Sequence, residues 1–321
     1  MHLGIFTPVW GTLTLEEMLK EVARYPRVKS LEIGTGGWPG ASHIDVDRLL
    51  NSDAACGEYK LRLADAGLNI SALSCHGNPL HPDAAVAQAG DEVFRKTVRL
   101  AEKLGVSVVV TFSGCPGGSE KDATPNWIVA PWPPEFASAL RWQWEQRLIP
   151  YWRQAGALAA EHGVKVAIEA HPGFCVYSPE TMLRLRAATS PAVGINLDPS
   201  HLWWQGVDIP VAIEALGDAI HHVHAKDVAL YPAKIHFAGV LDARSYAELQ
   251  KRSWSFRTVG WGHGEMEWRS IVSALRLARY DGVLSIEHED ALASRDQGLR
   301  YAVDFLDRVL LDEPPVEAWW V

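Results

Sequence analysis

Four short apolar runs in this chain end on a residue that can ligate a metal. Lys165-Val166-Ala167-Ile168 ends on Glu169, with His171 two residues later. Ala192–Leu197 ends on Asp198, and Pro199 follows at once, so the strand must stop there. Ala219–Val223 leads into His224, and Val283–Ile286 into Glu287. Burying a lone carboxylate is costly unless something pairs with it, so three acids and an imidazole at the ends of buried strands ask for a common counter-charge. Three carboxylates and one imidazole are an oxygen-rich donor set. It favours Mn²⁺ or Mg²⁺, leaves Co²⁺ and Zn²⁺ as further candidates, and lacks the thiolates of a structural zinc site. A divalent ion held there with two open positions would take vicinal oxygens of a sugar and, as a Lewis acid, acidify the adjacent C–H. A flanking carboxylate or His would then remove the proton.

The residues around these ends extend the pattern. In extended chain, side chains two apart share a side, so His171 lies with Glu169, His222 and Lys226 with His224, and Glu289 with Glu287. An imidazole of ordinary pKa near 6.5 suits proton transfer at neutral pH better than a carboxylate committed to an ion, which makes His171 the expected base. Lys226 is expected to contact a substrate oxygen or phosphate, the alternative being a pair with Asp227. His76, beside Gly77 after the third strand, is a further candidate for substrate contact. Glu289 and Asp290 read as caps of the last helix. His221 faces the helix layer by parity, and His2, His43, His162 and His288 read as surface or packing residues.

Eight strand-like runs alternate with helical ones: Leu3–Phe6, Val28–Ile33 (ending at Glu32), Ile70–Leu73, Val106–Phe112, Val164–Ile168, Val193–Leu197, Ile220–Val223 and Val283–Ile286. Helical spacing is read over Leu13–Tyr25, Asp45–Ala66 with a break near Asn51-Ser52, Pro82–Leu104, Glu135–His162, Pro179–Ala188, Pro210–Leu216, Met266–Tyr280 and Ala291–Leu311. Such alternation calls for a parallel sheet with helices outside, and eight units argue for closure into a TIM barrel, a single (β/α)8 domain over residues 1–321. A doubly wound sheet would want a Gly-rich fingerprint after the first strand, and Thr7-Pro8-Val9-Trp10-Gly11 is not one. Two connections are too long for plain loops: Cys115–Pro134 after the fourth strand and Val228–Gly264 after the seventh. Loops of that length are usually lids or binding loops, so Trp127, Trp132, Trp254 and Trp261 are expected to wall the pocket, with Trp127 and Trp261 touching substrate.

A net charge of −9 disfavours a nucleic-acid footprint, which wants a basic face. No apolar run approaches the length of a membrane span, and the first residues form a strand rather than a signal peptide. The four cysteines, Cys56, Cys75, Cys115 and Cys175, form no CxxC pair and read as reduced thiols in a cytoplasmic protein.

The set Val-Ala-Ile-Glu169-Ala-His171, Asn-Leu-Asp198-Pro-Ser-His201, His-Val-His224-Ala-Lys226-Asp227 and Ser-Ile-Glu287 resembles the xylose isomerase-like TIM barrels, also called the sugar phosphate isomerase/epimerase type. The resemblance implies that Glu169, Asp198, His224 and Glu287 ligate a divalent ion, Mn²⁺ foremost. It implies that Glu169 and Glu287 act as the acid/base pair in the manner of ketose 3-epimerases, and that His201 touches substrate. The segments 142–150, 198–208 and 259–264 look closer to a branch that includes metal-dependent C-glycoside deglycosidases. These act on 3-keto-glycosides by α-proton abstraction and elimination, with the base at the position of His171. The implied partners are a small sugar or glycoside and a second copy or a small accessory subunit. Three departures stand out: Lys226-Asp227-Val228 replaces an arginine found in epimerases, and both long connections are absent from them. An endonuclease IV-type phosphodiesterase would need more His ligands and a basic face. A non-catalytic sugar-binding barrel predicts no activity with any divalent ion.

Overall fold

The computed structural model describes residues 1–321. Its strands are β1 (His2–Phe6), β2 (Val28–Gly34), β3 (Asn69–Ser74), β4 (Val108–Phe112), β5 (Lys165–Glu169), β6 (Val193–Leu197), β7 (Ile220–Ala225), β8 (Asp227–Leu230), β9 (Trp254–Arg257) and β10 (Val283–Ile286). Eight of them close a parallel barrel in the order β1-β10-β7-β6-β5-β4-β3-β2, which is the TIM barrel expected from the alternation. β8 and β9 stand apart as an antiparallel pair.

The helices are α1 (Leu15–Val22), α2 (Val46–Asn51), α3 (Asp53–Asp65), α4 (Ala84–Leu104), α5 (Pro134–Trp142), α6 (Ile149–Glu161), α7 (Pro179–Ala188), α8 (Pro199–Trp203), α9 (Ile209–Leu216), α10 (Pro232–Ala238), α11 (Glu265–Leu277) and α12 (Arg295–Val309). The break expected near Asn51-Ser52 falls at Ser52, whose hydroxyl accepts from the Ala55 amide and starts α3. α5 and α6 join through a π-helical stretch, Gln143–Leu148. Pro150 explains it: without an N–H, and with a ring that crowds the preceding turn, it cannot continue the regular bonding ladder.

Strand parity sorts the core into two regions. Leu31, Ile33, Val109, Val166, Ile168, Ile195, Leu284 and Ile286 face outward into one large apolar core under the helices. Facing inward, Ala72, Val108, Val110 and Ala167 form a small apolar cluster of their own. Most other inward positions are polar and buried, namely Ser30, Glu32, Ser74, Glu169, Asn196, His222, His224 and Ser285, with Phe6 and Phe112 as aromatic exceptions near the mouth. Register places these side by side, with Phe112 opposite Glu169, Glu169 opposite Asn196, Asn196 opposite His222 and Ser285 opposite His224. A barrel interior is ordinarily filled with branched apolar side chains. This one carries a polar ladder toward the C-terminal strand ends.

The long segment after β7 is an arm rather than an open loop. β8 and β9 form its stem, with Asp227 opposite Arg257 and Leu230 opposite Trp254. The arm is seated on the barrel by Trp254, stacked on Trp204 at 5.0 Å. Asp227 ties down the segment that follows it. Its carboxylate accepts from the amides of Gly260, Gly262 and His263 and from His263 Nδ1 at 2.8–3.2 Å. Gly262 is required there, because a Cβ would sit 2.2 Å from the Val228 carbonyl oxygen. The connection Cys115–Pro134 is held from below by the buried Gln143, whose Nε2 donates to the carbonyls of Pro116, Gly117 and Asn126. The four cysteines are free and buried. No helix is long and apolar enough to cross a membrane.

Candidate metal centre and active-site pocket

β5, β6, β7 and β10 bring Glu169, Asp198, His224 and Glu287 to the barrel mouth, where one donor atom from each lies within 4.8 Å of the others. All four are buried. His224 Nε2 donates to Glu32 at 2.9 Å, which turns Nδ1 toward the centre, 3.0 Å from Glu287 Oε2 and 3.3 Å from Glu169 Oε2. A second buried carboxylate behind a ligating imidazole fixes its tautomer and raises its basicity. Glu32 is itself held by the hydroxyls of Ser74 and Ser285. A parallel support runs from His222 Nδ1, which donates to Asn196 Oδ1 at 2.9 Å, to Asn196 Nδ2, which donates to Glu169 Oε2 at 3.2 Å.

The donor set fits a hard divalent cation. Asp198 Oδ2, His224 Nδ1 and Glu287 Oε2 are buried and have no hydrogen-bond partner, where buried polar atoms ordinarily have one. The electrostatics point the same way. Burial, joined by Glu169 and Glu287, pushes the Asp198 pKa up to about 6 against the pull of His201 and Lys226. Burial lowers the His224 pKa, but Glu32, Glu287 and Glu169 outweigh it and hold the imidazole well above its ordinary value. Without an added cation, then, the cluster draws protons to supply the positive charge it lacks.

The centre opens into a pocket of about 600 Å³. His76, Glu169, His171, Lys226, Glu287 and Glu289 form its polar floor, and Trp38, Phe112, Phe174, Tyr246, Leu249 and Phe256 its apolar walls. A groove of about 650 Å³ lies elsewhere, against α2, α3 and α4, and none of the strand-end donors lines it. His171 Nδ1 donates to the Pro172 carbonyl at 2.6 Å, so Nε2 carries the lone pair. Burial, then the neighbouring His201, push its pKa down to about 3 despite Glu169. The shift is downward from the ordinary value near 6.5, which makes the ring a weaker base than free imidazole.

The other expected site residues divide. His76 lines the pocket and donates from Nε2 to Glu169 Oε2 at 3.0 Å. His201 is buried outside the pocket lining, its Nε2 3.2 Å from both Glu169 Oε1 and Asp198 Oδ2. Lys226 does not pair with Asp227. Its ammonium lies 2.5 Å from Glu289 and 3.3 Å from Glu287, 4.3 Å above the Phe256 ring. Glu289 is therefore no helix cap, and Asp290 turns back to Arg257 and Thr258, while Ser294 caps α12. The expected tryptophan walls are also corrected. Trp127 packs edge-on against Tyr177, Trp261 stacks on Tyr301, Trp254 is buried in the arm's stem and Trp132 is exposed; none lines the pocket. No role is legible in the sequence for Glu32, His222 or Asn196, and Glu289 reads there only as a helix cap. Glu32 carries the same signal as the ligands, an acid closing a buried strand, and parity with Glu287 marks Glu289.

Comparison with known proteins agrees with this architecture. An uncharacterized Bacillus subtilis (strain 168) protein, YfiH, is 38% identical over 313 residues, spanning 97% of this chain and 99% of its own. The inosose dehydratase of Geobacillus thermodenitrificans is 30% identical over 150 residues, 46% of this chain and 48% of that one. The solved structure of a probable 3-DHS dehydratase, AsbF, from Bacillus anthracis superposes with a TM-score of 0.63 over 96% of this chain and 99% of that one, at 18% identity, a likeness of fold. The profile described as xylose isomerase-like TIM barrel matches residues 28–309, and with the closed eight-stranded barrel already in view, the chain belongs to that family.

Proposed function

We propose that the chain is a divalent-metal-dependent enzyme that takes a proton from the carbon beside a carbonyl of a sugar or 3-keto-glycoside and then expels a leaving group, as a C-glycoside deglycosidase-like lyase does. The observation that carries this reading is the four-donor centre at the floor of a pocket that His171 also lines. Glu169, Asp198, His224 and Glu287 would hold the ion, with Mn²⁺ the metal of choice for so oxygen-rich a set. When bound, the ion supplies Lewis-acid polarisation of a carbonyl or hydroxyl oxygen and so acidifies the adjacent C–H.

The chain's own residues do the rest. His171 is fixed by Pro172 in the tautomer whose Nε2 can accept a proton, and its lowered pKa keeps that nitrogen free at neutral pH. Lys226 presents an ammonium at the floor for a substrate oxygen, while His76 steadies Glu169. Trp38, Phe112, Phe174 and Phe256 keep water from the reacting carbon and give apolar surface to a bulky leaving group. Elimination is favoured over reprotonation because relatives by sequence include inosose and 3-dehydroshikimate dehydratases, which eliminate water, while D-psicose 3-epimerase and L-ribulose 3-epimerase are alike in fold at 17% and 18% identity.

Sugar isomerisation or 3-epimerisation is the second reading, supported by Glu169 and Glu287 both facing the pocket. The test is a screen of free ketoses against 3-keto-glycosides, each with Mn²⁺ and in deuterated water. Elimination predicts aglycone release from the glycosides. Deuterium entering a recovered ketose would favour epimerisation, and inertness toward every substrate would leave a binding barrel.

A further inference from the structure

Lys226 reads in the sequence as a ligand for a substrate oxygen or a phosphate, and the pocket's charge pattern separates the two. Lys226 is the only positively charged lining residue other than histidine. Its ammonium is buried and lies 2.5 Å from Glu289, 3.3 Å from Glu287 and 3.9 Å from Asp198. Glu287 and Asp198 belong to the metal centre. Glu289 does not; it comes from the segment after β10, a third of its side chain is exposed, and it reaches inward over the pocket floor. Formal charges can be followed through the site. Three ligand carboxylates against a divalent ion leave one negative charge, Lys226 cancels it, and Glu289 restores it. A second copy of that sign lies deeper, on Glu32 behind His224. An incoming phosphate or carboxylate would meet a site of its own sign whose one ammonium is already engaged. A neutral polyol meets hydrogen-bonding groups and pays no such repulsion.

We infer that Glu289 is a specificity-determining residue: by holding Lys226 in an ion pair it turns the pocket away from anionic ligands, so the substrate class is uncharged and unphosphorylated. This rests on the pocket being the substrate site, and it deepens the proposed function. Lys226, in turn, donates to hydroxyl or carbonyl oxygens rather than gripping a phosphate.

Inorganic sulfate serves as the probe, titrated by calorimetry at low ionic strength into the metal-loaded protein and into Glu289→Gln and Glu289→Ala, with bound metal measured in each. Both side chains are compatible with a partly exposed position, so folding is retained. At equal metal content, both variants are expected to bind sulfate roughly tenfold more tightly or better than the parent, as removal of one charge from a shielded site requires. Unchanged or weaker sulfate binding in both variants overturns the inference. Because the readout is binding of an inert anion and not turnover, failure of the keto-sugar screen and failure of this test are separate results.

Discussion

At the residue scale the chemistry turns on His171. Its Nδ1 is tied to Pro172, its Nε2 is free, and it shares the pocket with two carboxylates of the centre. Loss of a general base ordinarily lowers turnover by about 10² to 10⁴. His171→Ala is therefore expected to lower kcat by that order, with metal content preserved and solvent exchange of the substrate's α-hydrogen abolished. If the variant instead loses metal, and excess Mn²⁺ restores the rate, His171 only positions Glu169 and the proton passes through Glu169 or Glu287. The four-donor cluster itself was legible because a carboxylate closing an apolar run contradicts burial unless a partner waits for it. Glu32 met the same criterion near the end of β2. Its role stayed hidden because His224, Ser74 and Ser285 become its neighbours only when the barrel closes.

At the scale of elements, alternation and strand length were readable in order, since each depends on a few adjacent residues. The walls of the pocket were not. A tryptophan in a long loop announces that something apolar will be covered, but not on which side. Trp261 covers Tyr301 on the outside, while Tyr246, Leu249 and Phe256 of the arm face the pocket. The arm's stem joins the last strand's exit through Asp290, which accepts from the Thr258 amide at 2.8 Å, Thr258 Oγ1 at 3.0 Å and Arg257 Nε at 3.1 Å. Burial raises the Asp290 pKa, but those donors and the Leu292 amide outweigh it and hold the pKa below the ordinary aspartate value. A lowered carboxyl pKa contributes stability above the unfolded value, near 4, and loses it as pH falls through the folded one. Asp290→Asn is expected to destabilise the protein by roughly 1–3 kcal/mol at neutral pH. The gap to the parent, read from denaturant midpoints, should narrow only below about pH 4. A gap that persists unchanged into acid would mean that Asp290 acts through its shape and not its charge.

At the scale of the whole molecule, the barrel wall and the candidate metal centre are one construction. The inward ladder from Ser30 to Glu287 leaves only a small apolar cluster inside the barrel, so three carboxylates face one another across its mouth. An ion that binds only the folded barrel stabilises it by mass action, by about 2.7 kcal/mol when free ion exceeds its dissociation constant a hundredfold. Chelation is expected to lower Tm, and Asp198→Ala and His224→Ala should each lose bound metal together with the chelator's effect on Tm. Full metal occupancy in both variants would remove them from the ligand set. The arm stands outside this construction. It leaves the wall at Asp227 and returns at Arg257, directly opposite in the same small sheet, so its two ends stay joined whatever lies between them. Closing a longer or shorter excursion between fixed ends changes the free energy little, about 0.6 kcal/mol for each doubling of length. Residues 231–253 can thus vary in length at little cost to the barrel, and with Tyr246 and Leu249 they carry part of the pocket wall on a segment that the strand-end donors do not depend on.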